Sequence, residues 1–253
     1  MVGGRWVSMA TSSPAEYIGP MFAALLKGLS AGLPSQCLVC RSWPERSLCE
    51  PCISRFAQPQ LRCRSCALPV TAGVLQCGAC IVQAPPLDHC LAAVPYEYPW
   101  SGLMVNFKFR AQPGLAADFA LLMRSTPWVE PALEAAELVL PMPLSKQRLC
   151  SRGFNQALLL ARRLAPKKTA DQLLLRLRDT PAQSTLSRSE RLTSLAGAFA
   201  VEPLQAKRLA GARVRLVDDV MTSGATLFYA ARALRQAGAA HITGLVVART
   251  PRP

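Results

Sequence analysis

A short apolar strand that ends in two adjacent acids constrains the fold of this chain more than any other segment. Residues 214–218 form the strand, which ends at the acids Asp218 and Asp219, and a turn of small and hydroxyl residues leads into a helix-like segment at 227–236. This order predicts one unit of an open α/β sheet, whose ligands bind at the carboxyl ends of the strands. Neighbouring carboxylates can accept hydrogen bonds from the hydroxyls of a sugar, and amides at a helix N-terminus bind phosphate. The segment therefore predicts a cradle for a ribose 5-phosphate group.

Strand-like and helix-like segments alternate through most of the rest of the chain. Residues 91–110 indicate a strand, a turn and a short helix. Further strands are predicted at 137–141, 173–177 and 242–248, and helices at 114–125, 154–164 and 188–196. This alternation predicts an α/β fold with a parallel sheet and helices on both faces.

Eight of the ten cysteines form four CxxC pairs in the N-terminal third of the chain. The pairs are Cys37/Cys40, Cys49/Cys52, Cys63/Cys66 and Cys77/Cys80. Each CxxC turn directs two thiolates at one metal ion, so the four pairs predict two structural Cys₄ zinc sites, grouped either sequentially or in a cross-braced arrangement. The even spacing favours zinc over an iron–sulfur cluster, and a disulfide framework would need an oxidising compartment that nothing in the sequence indicates. We therefore expect a tail or helix at 1–33, a double zinc-ribbon-like module at 34–84 and the α/β domain at 88–253.

The chain is strongly basic, with a formal net charge of +14. Between Lys146 and Arg191 eleven basic residues face only three acids. A polyanionic partner or a polyphosphate substrate would explain this excess, and a solvated basic surface is the alternative. Because every apolar run is interrupted before about 18 residues, the sequence predicts no transmembrane segment and a cytoplasmic location.

The loop after the strand at 137–141 is a second candidate site. Its polar and basic residues, followed by the start of a helix, could hold a pyrophosphate. The candidates are Leu144, Ser145, Lys146, Arg148, Arg152, Asn155 and Gln156. The alternative is an exposed basic loop that is anchored by Phe154 in the core.

The segment at 214–226 resembles the signature of type I phosphoribosyltransferases, from which it departs at Arg215, a charge where the pattern has an apolar residue. Together with the tandem CxxC pairs, the Arg-Gly-Phe-Asn-Gln string at 152–156 and the Phe-Lys-Phe string at 107–109, it resembles the ComF family of bacterial competence and DNA-utilisation proteins. The resemblance implies an N-terminal zinc module and a type I phosphoribosyltransferase-like domain. It implies binding of phosphoribosyl pyrophosphate (PRPP) with Mg²⁺ by Asp218, Asp219, Met221, Thr222, Ser223, Gly224, Ala225 and Thr226. It also implies a mobile hood loop at 178–191, with Gln183, Arg188 and Arg191 as candidate contacts.

Two functions follow from this resemblance, and the sequence does not choose between them. One is the handling of incoming single-stranded DNA in the cytosol during competence, with DNA-uptake proteins at the inner membrane as partners and membrane association only through them. The other is a phosphoribosyltransferase of nucleotide metabolism that uses PRPP and an unidentified acceptor and has no role with DNA. No residue identifies a catalytic nucleophile, so whether the chain is an enzyme stays open.

Overall fold

The structure is a computed structural model of the chain, and it describes residues 36–43, 47–178 and 197–251. The chain divides into two compact units, 1–49 and 50–253. The larger unit begins with helices α1 (Glu50–Phe56) and α2 (Gly78–Val82) and then alternates strands with helices. Its further elements are β1 (His89–Pro95), α3 (Trp100–Phe109), α4 (Leu115–Arg124), α5 (Val129–Glu134), β2 (Leu138–Pro141), α6 (Lys146–Arg152), α7 (Gln156–Leu164), β3 (Leu174–Arg176), β4 (Phe199–Val201), β5 (Arg213–Met221), α8 (Ala225–Gln236) and β6 (His241–Arg249).

Four parallel strands in the order β1-β6-β5-β2 form the main sheet. The two inner strands, β5 and β6, are the longest, and Asp218 of β5 lies opposite Val246 of β6. The strands predicted at 137–141, 214–218 and 242–248 all belong to this sheet. The carboxyl end of β5 thus lies between two neighbouring strands, which is where an open α/β sheet binds ligands.

Side chains alternate between the two faces of the sheet along each strand. Helices pack against the side chains of both faces. On one face, Val214 and Leu216 of β5 share an apolar core with Leu227, Ala230 and other residues of α8. On the opposite face, Arg215 donates from Nε to the carbonyl oxygen of Ala132 in α5, at 2.6 Å. Helices α4 and α7 pack against each other and against this sheet. The predicted fold class, a parallel α/β sheet with helices, is confirmed.

One predicted strand has a different partner from the one that alternation suggested. Leu174–Arg176, within the predicted strand at 173–177, pairs antiparallel with Phe199–Val201 in a separate two-stranded sheet. A short apolar strand can pair in either direction, so its partner depends on the tertiary fold and not on its own residues. The helix predicted at 188–196 and the hood residues Gln183, Arg188 and Arg191 lie outside the described residues.

The second pair of CxxC turns packs directly on the sheet. Cys63, Cys66 and Cys80 are buried in the same core as β5, β6 and α8, together with Ala67 and Leu68. A segment with few apolar residues of its own therefore gains a core from its neighbour. Nothing in this packing tests the predicted boundaries at 34–84 and 88–253, which stay predictions. Over the described ranges, no helix is long and apolar enough to cross a membrane.

Candidate functional site

Two carboxylates lie near the carboxyl end of β5. Asp219 is buried and Asp218 is half-buried. The amide of Asp219 donates to Asp218 Oδ1 at 2.9 Å, and the amide of Val220 donates to Asp219 Oδ1 at 2.6 Å. Lys108 Nζ lies 2.9 Å from the same oxygen of Asp219. These contacts orient both carboxylates at this end of the strand.

The two acids have different electrostatic surroundings. Burial raises the pKa of Asp218, and the adjacent Asp219 raises it further, to about 7, although Lys108 opposes both effects. Two close carboxylates in a poorly solvated site do not readily ionise together. At neutral pH Asp218 is therefore poised to lose or keep a proton in response to a cation or a hydroxyl group nearby.

A tight turn connects β5 to α8 and presents the N-terminus of a 12-residue helix at the acids' end of the strand. Gly224 has a φ of 85°, and a Cβ atom there would lie 2.5 Å from Met221 Cε and 2.8 Å from Phe228 Cζ. The turn therefore requires glycine for its conformation and for its space. Ser223 Oγ accepts from the amide of Ala225 at 3.3 Å. The first amides of a helix have no partners within the helix, so this turn can bind a phosphate group.

Basic groups from two other elements converge on the acids. Lys108 comes from the last turn of α3, and Arg152 comes from the end of α6. Burial lowers the pKa of Arg152, while the charges of Asp219 and Asp218 oppose that shift. Gln156 connects the two, since its Oε1 accepts from Arg152 at 3.3 Å and its Nε2 donates to the carbonyl of Lys108 at 3.5 Å. Acids and cations thus line one edge of the sheet together.

A buried arginine connects this turn to the second cysteine group. Arg249, at the end of β6, is only 3 % exposed. Its Nε donates to the carbonyl of Cys66 at 2.8 Å, and its Nη1 donates to the carbonyl of Met221 at 2.9 Å and also to that of Thr222. One rigid guanidinium group therefore holds the backbone of a CxxC turn and the backbone of the phosphate-type turn at a fixed separation.

The eight CxxC cysteines form two groups, and within each group the sulfur atoms lie within 4.8 Å of one another. The groups are sequential, Cys37/Cys40/Cys49/Cys52 and Cys63/Cys66/Cys77/Cys80. The measured Sγ–Sγ distances of 3.6 Å (Cys40–Cys49) and 3.7 Å (Cys66–Cys77) fit the roughly 3.8 Å edge of a tetrahedron with Zn–S bonds of about 2.3 Å. Amides of Cys49 and Cys77 donate to Cys37 and Cys63 sulfurs, as they do to thiolates in zinc knuckles. Both groups can hold zinc with four thiolates, which leaves no open position for substrate.

Comparison with known proteins decides the family. The chain is 31% identical to the DNA utilization protein YhgH of Salmonella typhimurium over 86% of this chain and 98% of that protein. It is 30% identical to Competence protein F of Haemophilus influenzae, over 82% of this chain and 93% of that one. The chain belongs to the ComF family. It is also 28% identical to Competence protein ComFC of Bacillus subtilis, over 82% of this chain and 86% of that one.

Two further comparisons add little for this ComF chain. No protein-family model matches it. A solved structure of the allosteric regulatory enzyme of purine biosynthesis shares 16% identity with it and covers 56% of this chain and 29% of its own, with a TM-score of 0.33. That score is too low to support any argument about this fold.

The predicted residues of the loop after β2 have mainly local contacts in the ComF fold. Ser145 caps α6 by accepting from the amide of Arg148, and Asn155 caps α7 while its Nδ2 donates to the carbonyl of Met142. Lys146 is exposed, and Leu144 lies in the loop between β2 and α6. Phe154 packs on the buried ring of Phe107 and anchors the loop. Of this predicted set, Arg152 and Gln156 are the residues that the described contacts connect to the acids.

Two residues of the site were not predicted as site residues. Lys108 was noted only as part of the Phe-Lys-Phe string, where a cation between two aromatic residues at a helix end is the available signal. Arg249 directly follows the apolar run at 245–248, and an arginine there signals a buried, bonded cation. Neither pattern predicts which residue the cation contacts, because Lys108 and Asp219, and likewise Arg249 and Met221, are more than 25 positions apart in the sequence.

Proposed function

We propose that this ComF protein binds PRPP together with Mg²⁺ at the carboxyl edge of its sheet. The observation that carries the proposal is the placement of Asp218 and Asp219 near the end of β5, two residues before the turn at 222–224, with Lys108 Nζ 2.9 Å from Asp219. Carboxylates suit the ribose hydroxyls, the amides of the turn suit the 5-phosphate, and Lys108 and Arg152 suit the pyrophosphate. Met221, Thr222, Ser223, Ala225 and Thr226 complete the cradle.

Mg²⁺ fits this edge as a partner of the ligand. Mg²⁺ usually keeps several waters and binds through one or two carboxylates and the phosphates of a substrate. Asp218 and Asp219 can supply the carboxylates, and a divalent cation nearby would favour the ionised form of Asp218. The protein's own part is to orient the ribose and to balance the charge of the pyrophosphate.

Calorimetric titration with Mg²⁺–PRPP tests this proposal. We expect saturable binding that Asp218→Asn and Asp219→Asn each weaken at least about tenfold, as loss of a charge-assisted hydrogen bond does. The matched control is Asp171→Asn, which removes an acid that pairs with Arg162 away from the site and should bind as wild type does. Equal affinity in all four proteins would contradict the proposal.

We further propose that the protein handles incoming single-stranded DNA in the cytosol. The names of its relatives, a DNA utilization protein and two competence proteins, support this role, as does the net charge of +14. A single strand of about 15 nucleotides labelled with a fluorophore should bind with an affinity that falls steeply as salt rises, because phosphate contacts release counterions. A labelled strand that stays free at low salt would exclude this role.

The same preparation decides whether the protein is an enzyme. Pyrophosphate is measured after incubation with Mg²⁺–PRPP and either free bases or single-stranded DNA. Release that Asp218→Asn abolishes would identify a phosphoribosyltransferase of nucleotide metabolism when a base is the acceptor. DNA binding without release identifies a DNA-binding protein that does not turn PRPP over, and a change in DNA affinity on addition of Mg²⁺–PRPP would make it PRPP-responsive.

A further inference from the structure

A second cavity, of about 850 Å³, lies at the opposite end of the sheet from the acids. It is lined by the residues that begin three strands, His89 of β1, Arg213 of β5 and His241 of β6. Helices α4 and α5 and the loop between them form its other side, including Trp128 and Pro131. Its volume is within the range of cavities that bind small molecules. This cavity plays no part in the site at the carboxyl edge.

Polar residues on neighbouring strands form two rows across the end of the sheet that lines this cavity. In parallel register, His89 lies beside Thr243 and Thr243 lies beside Arg215, and in the next row Arg213 lies beside His241. The rings of His89 and His241 are 5.7 Å apart. Apolar side chains are the usual occupants of the inner strands of a parallel sheet, whereas here the inner strands carry four polar residues, of which Arg215 and Thr243 are buried.

Arg215, the position where the sequence departs from the phosphoribosyltransferase pattern, is the most buried of these cations. It is 1 % exposed and donates to two backbone carbonyls, those of Ala132 and Val214. Over the described ranges no carboxylate lies within ion-pair distance of it. Burial of a charge without a counter-charge is unfavourable, so an anion in the cavity would be stabilised.

The surroundings of Arg215 keep the positive charge uncompensated. Arg62, Arg64 and Arg213 also line the cavity, and among its described lining residues none is acidic. The nearby Asp88 is already engaged by Arg235 and by the amide of Ile242. The Nδ1 atom of His241 is shielded from solvent and has no hydrogen-bond partner among the described residues. Four arginines and two histidines, one of which has an unused ring nitrogen, therefore surround one space.

We propose that this cavity binds the phosphate of a nucleotide, with the base against the apolar side of the cavity. The phosphate would lie near His241, Arg213 and Arg215, which are cations or hydrogen-bond donors. Trp128 is 74 % exposed at the rim and offers an aromatic face on which a base can stack. The nucleotide is either a free monophosphate or a unit of a single strand, since both present the same phosphate and base. The inference does not depend on PRPP binding, because no residue of the carboxyl-edge site takes part.

The test compares dTMP with thymidine by calorimetry, on the full-length, zinc-loaded protein. We expect dTMP to bind and thymidine to bind at least about tenfold more weakly, because the phosphate supplies the charge-assisted contacts. Arg213→Glu should weaken dTMP binding at least about tenfold. The matched control is Arg208→Glu, which makes the same charge change at an exposed position outside the cavity lining and should leave the affinity unchanged. Arg213 is exposed as well, and an unchanged melting temperature would show that its variant is folded.

Three results would overturn the proposal. They are equal binding of thymidine and dTMP, an equal loss in both variants, and no loss in Arg213→Glu. Mg²⁺–PRPP binding should be the same in Arg213→Glu and wild type, so failure of this inference and failure of the proposed function are distinguishable. Competition with a 5′-phosphorylated oligonucleotide then identifies the source. Displacement of dTMP by the oligonucleotide supports a strand as the ligand, and its absence supports the free monophosphate.

Discussion

Asp218 lies in a poorly solvated position next to a second carboxylate, that of Asp219. These two surroundings determine its pKa. Its pKa is raised to about 7 first by burial and then by Asp219, whereas an aspartate in an unfolded chain titrates near a pKa of about 3.9. Residues that serve a ligand often lower the stability of the free protein. The repulsion between Asp218 and Asp219, which Lys108 relieves only in part, destabilises the protein in the same way.

Replacement of Asp218 by asparagine should therefore stabilise the protein in a pH-dependent way. Between about pH 4 and pH 7 folded Asp218 holds a proton that the unfolded chain has lost, so wild-type stability falls as pH rises through this window. The amide that replaces the carboxyl group in Asp218→Asn does not titrate. We expect the variant's melting temperature to rise relative to wild type by a few degrees from about pH 5 to about pH 7.5, at about 2–4 °C per kcal/mol for a chain of this size. A difference in melting temperature that stays constant with pH would contradict the assigned cause.

An experiment can distinguish Gly224, which has a positive φ and close neighbours, from a glycine that is needed for its positive φ alone. Gly153 has a φ of 77° and open space for at least 4 Å around the place a Cβ atom would take, while Gly224 has a φ of 85° and two close neighbours. Gly153→Ala should lose about 1–2 kcal/mol of unfolding free energy, from conformation alone. Gly224→Ala should lose at least about 1 kcal/mol more, because Met221 is buried and must repack. Urea unfolding measures both, and equal losses would show that the close approach has no effect.

Among the elements, the unit β5–turn–α8 is the one that the sequence predicts best. Strand, acids, turn and helix lie in one continuous segment, so local pattern and turn chemistry are sufficient to place them. The helix begins at Ala225, two residues earlier than predicted, whereas the strand continues to Met221, so both acids lie inside the strand and not at its end. Pairing of the strand at 174–176 could not be predicted, since its partner at 199–201 is separated from it by residues without a strand pattern. Lys108 and Arg249 were missed for a similar reason, because tertiary packing alone brings them to the acids and to the turn.

The connection made by Arg249 can be tested by a change that keeps the charge. Arg249→Lys retains a cation, but one ammonium group cannot reach the carbonyls of Cys66, Met221 and Thr222 with the geometry of a guanidinium group. We expect a loss of about 2–3 kcal/mol of unfolding free energy and faster zinc release to a chromogenic chelator. Arg232→Lys, an exposed arginine of α8 stacked on Tyr229, is the matched control. Identical zinc release in the two variants would show that Arg249 does not support the metal site.

At the scale of the whole molecule, the second cysteine group and the sheet share one core. Cys63, Cys66 and Cys80 are buried with residues of β5, β6 and α8, so disorder in the cysteine turns would expose apolar surface of the sheet. A metal that folds a small module would here contribute to the stability of the larger unit as well. The chain is accordingly expected to lose stability well beyond the cysteine segment when zinc is removed.

Metal analysis and thermal unfolding check this expectation. We expect about two zinc ions per chain, about one in Cys63→Ser, and a lower melting temperature in Cys63→Ser and in chelator-treated wild type. Cys150→Ser is the control, because Cys150 is exposed and belongs to neither cysteine group in the described residues. A melting temperature that is unchanged by chelation would mean that the sheet is stable without the metal.

The strand order has a consequence for synthesis of the protein on the ribosome. β1 pairs with β6, and the partner of His89 is Thr243, about 150 residues further along the chain. During synthesis β1 therefore has no neighbouring strand until β6 has been made. Contacts between such distant residues form slowly. Both ends of β5, the acidic one and the basic one, are also flanked by β6. A nascent chain that still lacks β6 would therefore have neither of the two proposed sites, and its unpaired strand edges would make it a substrate for chaperones during translation.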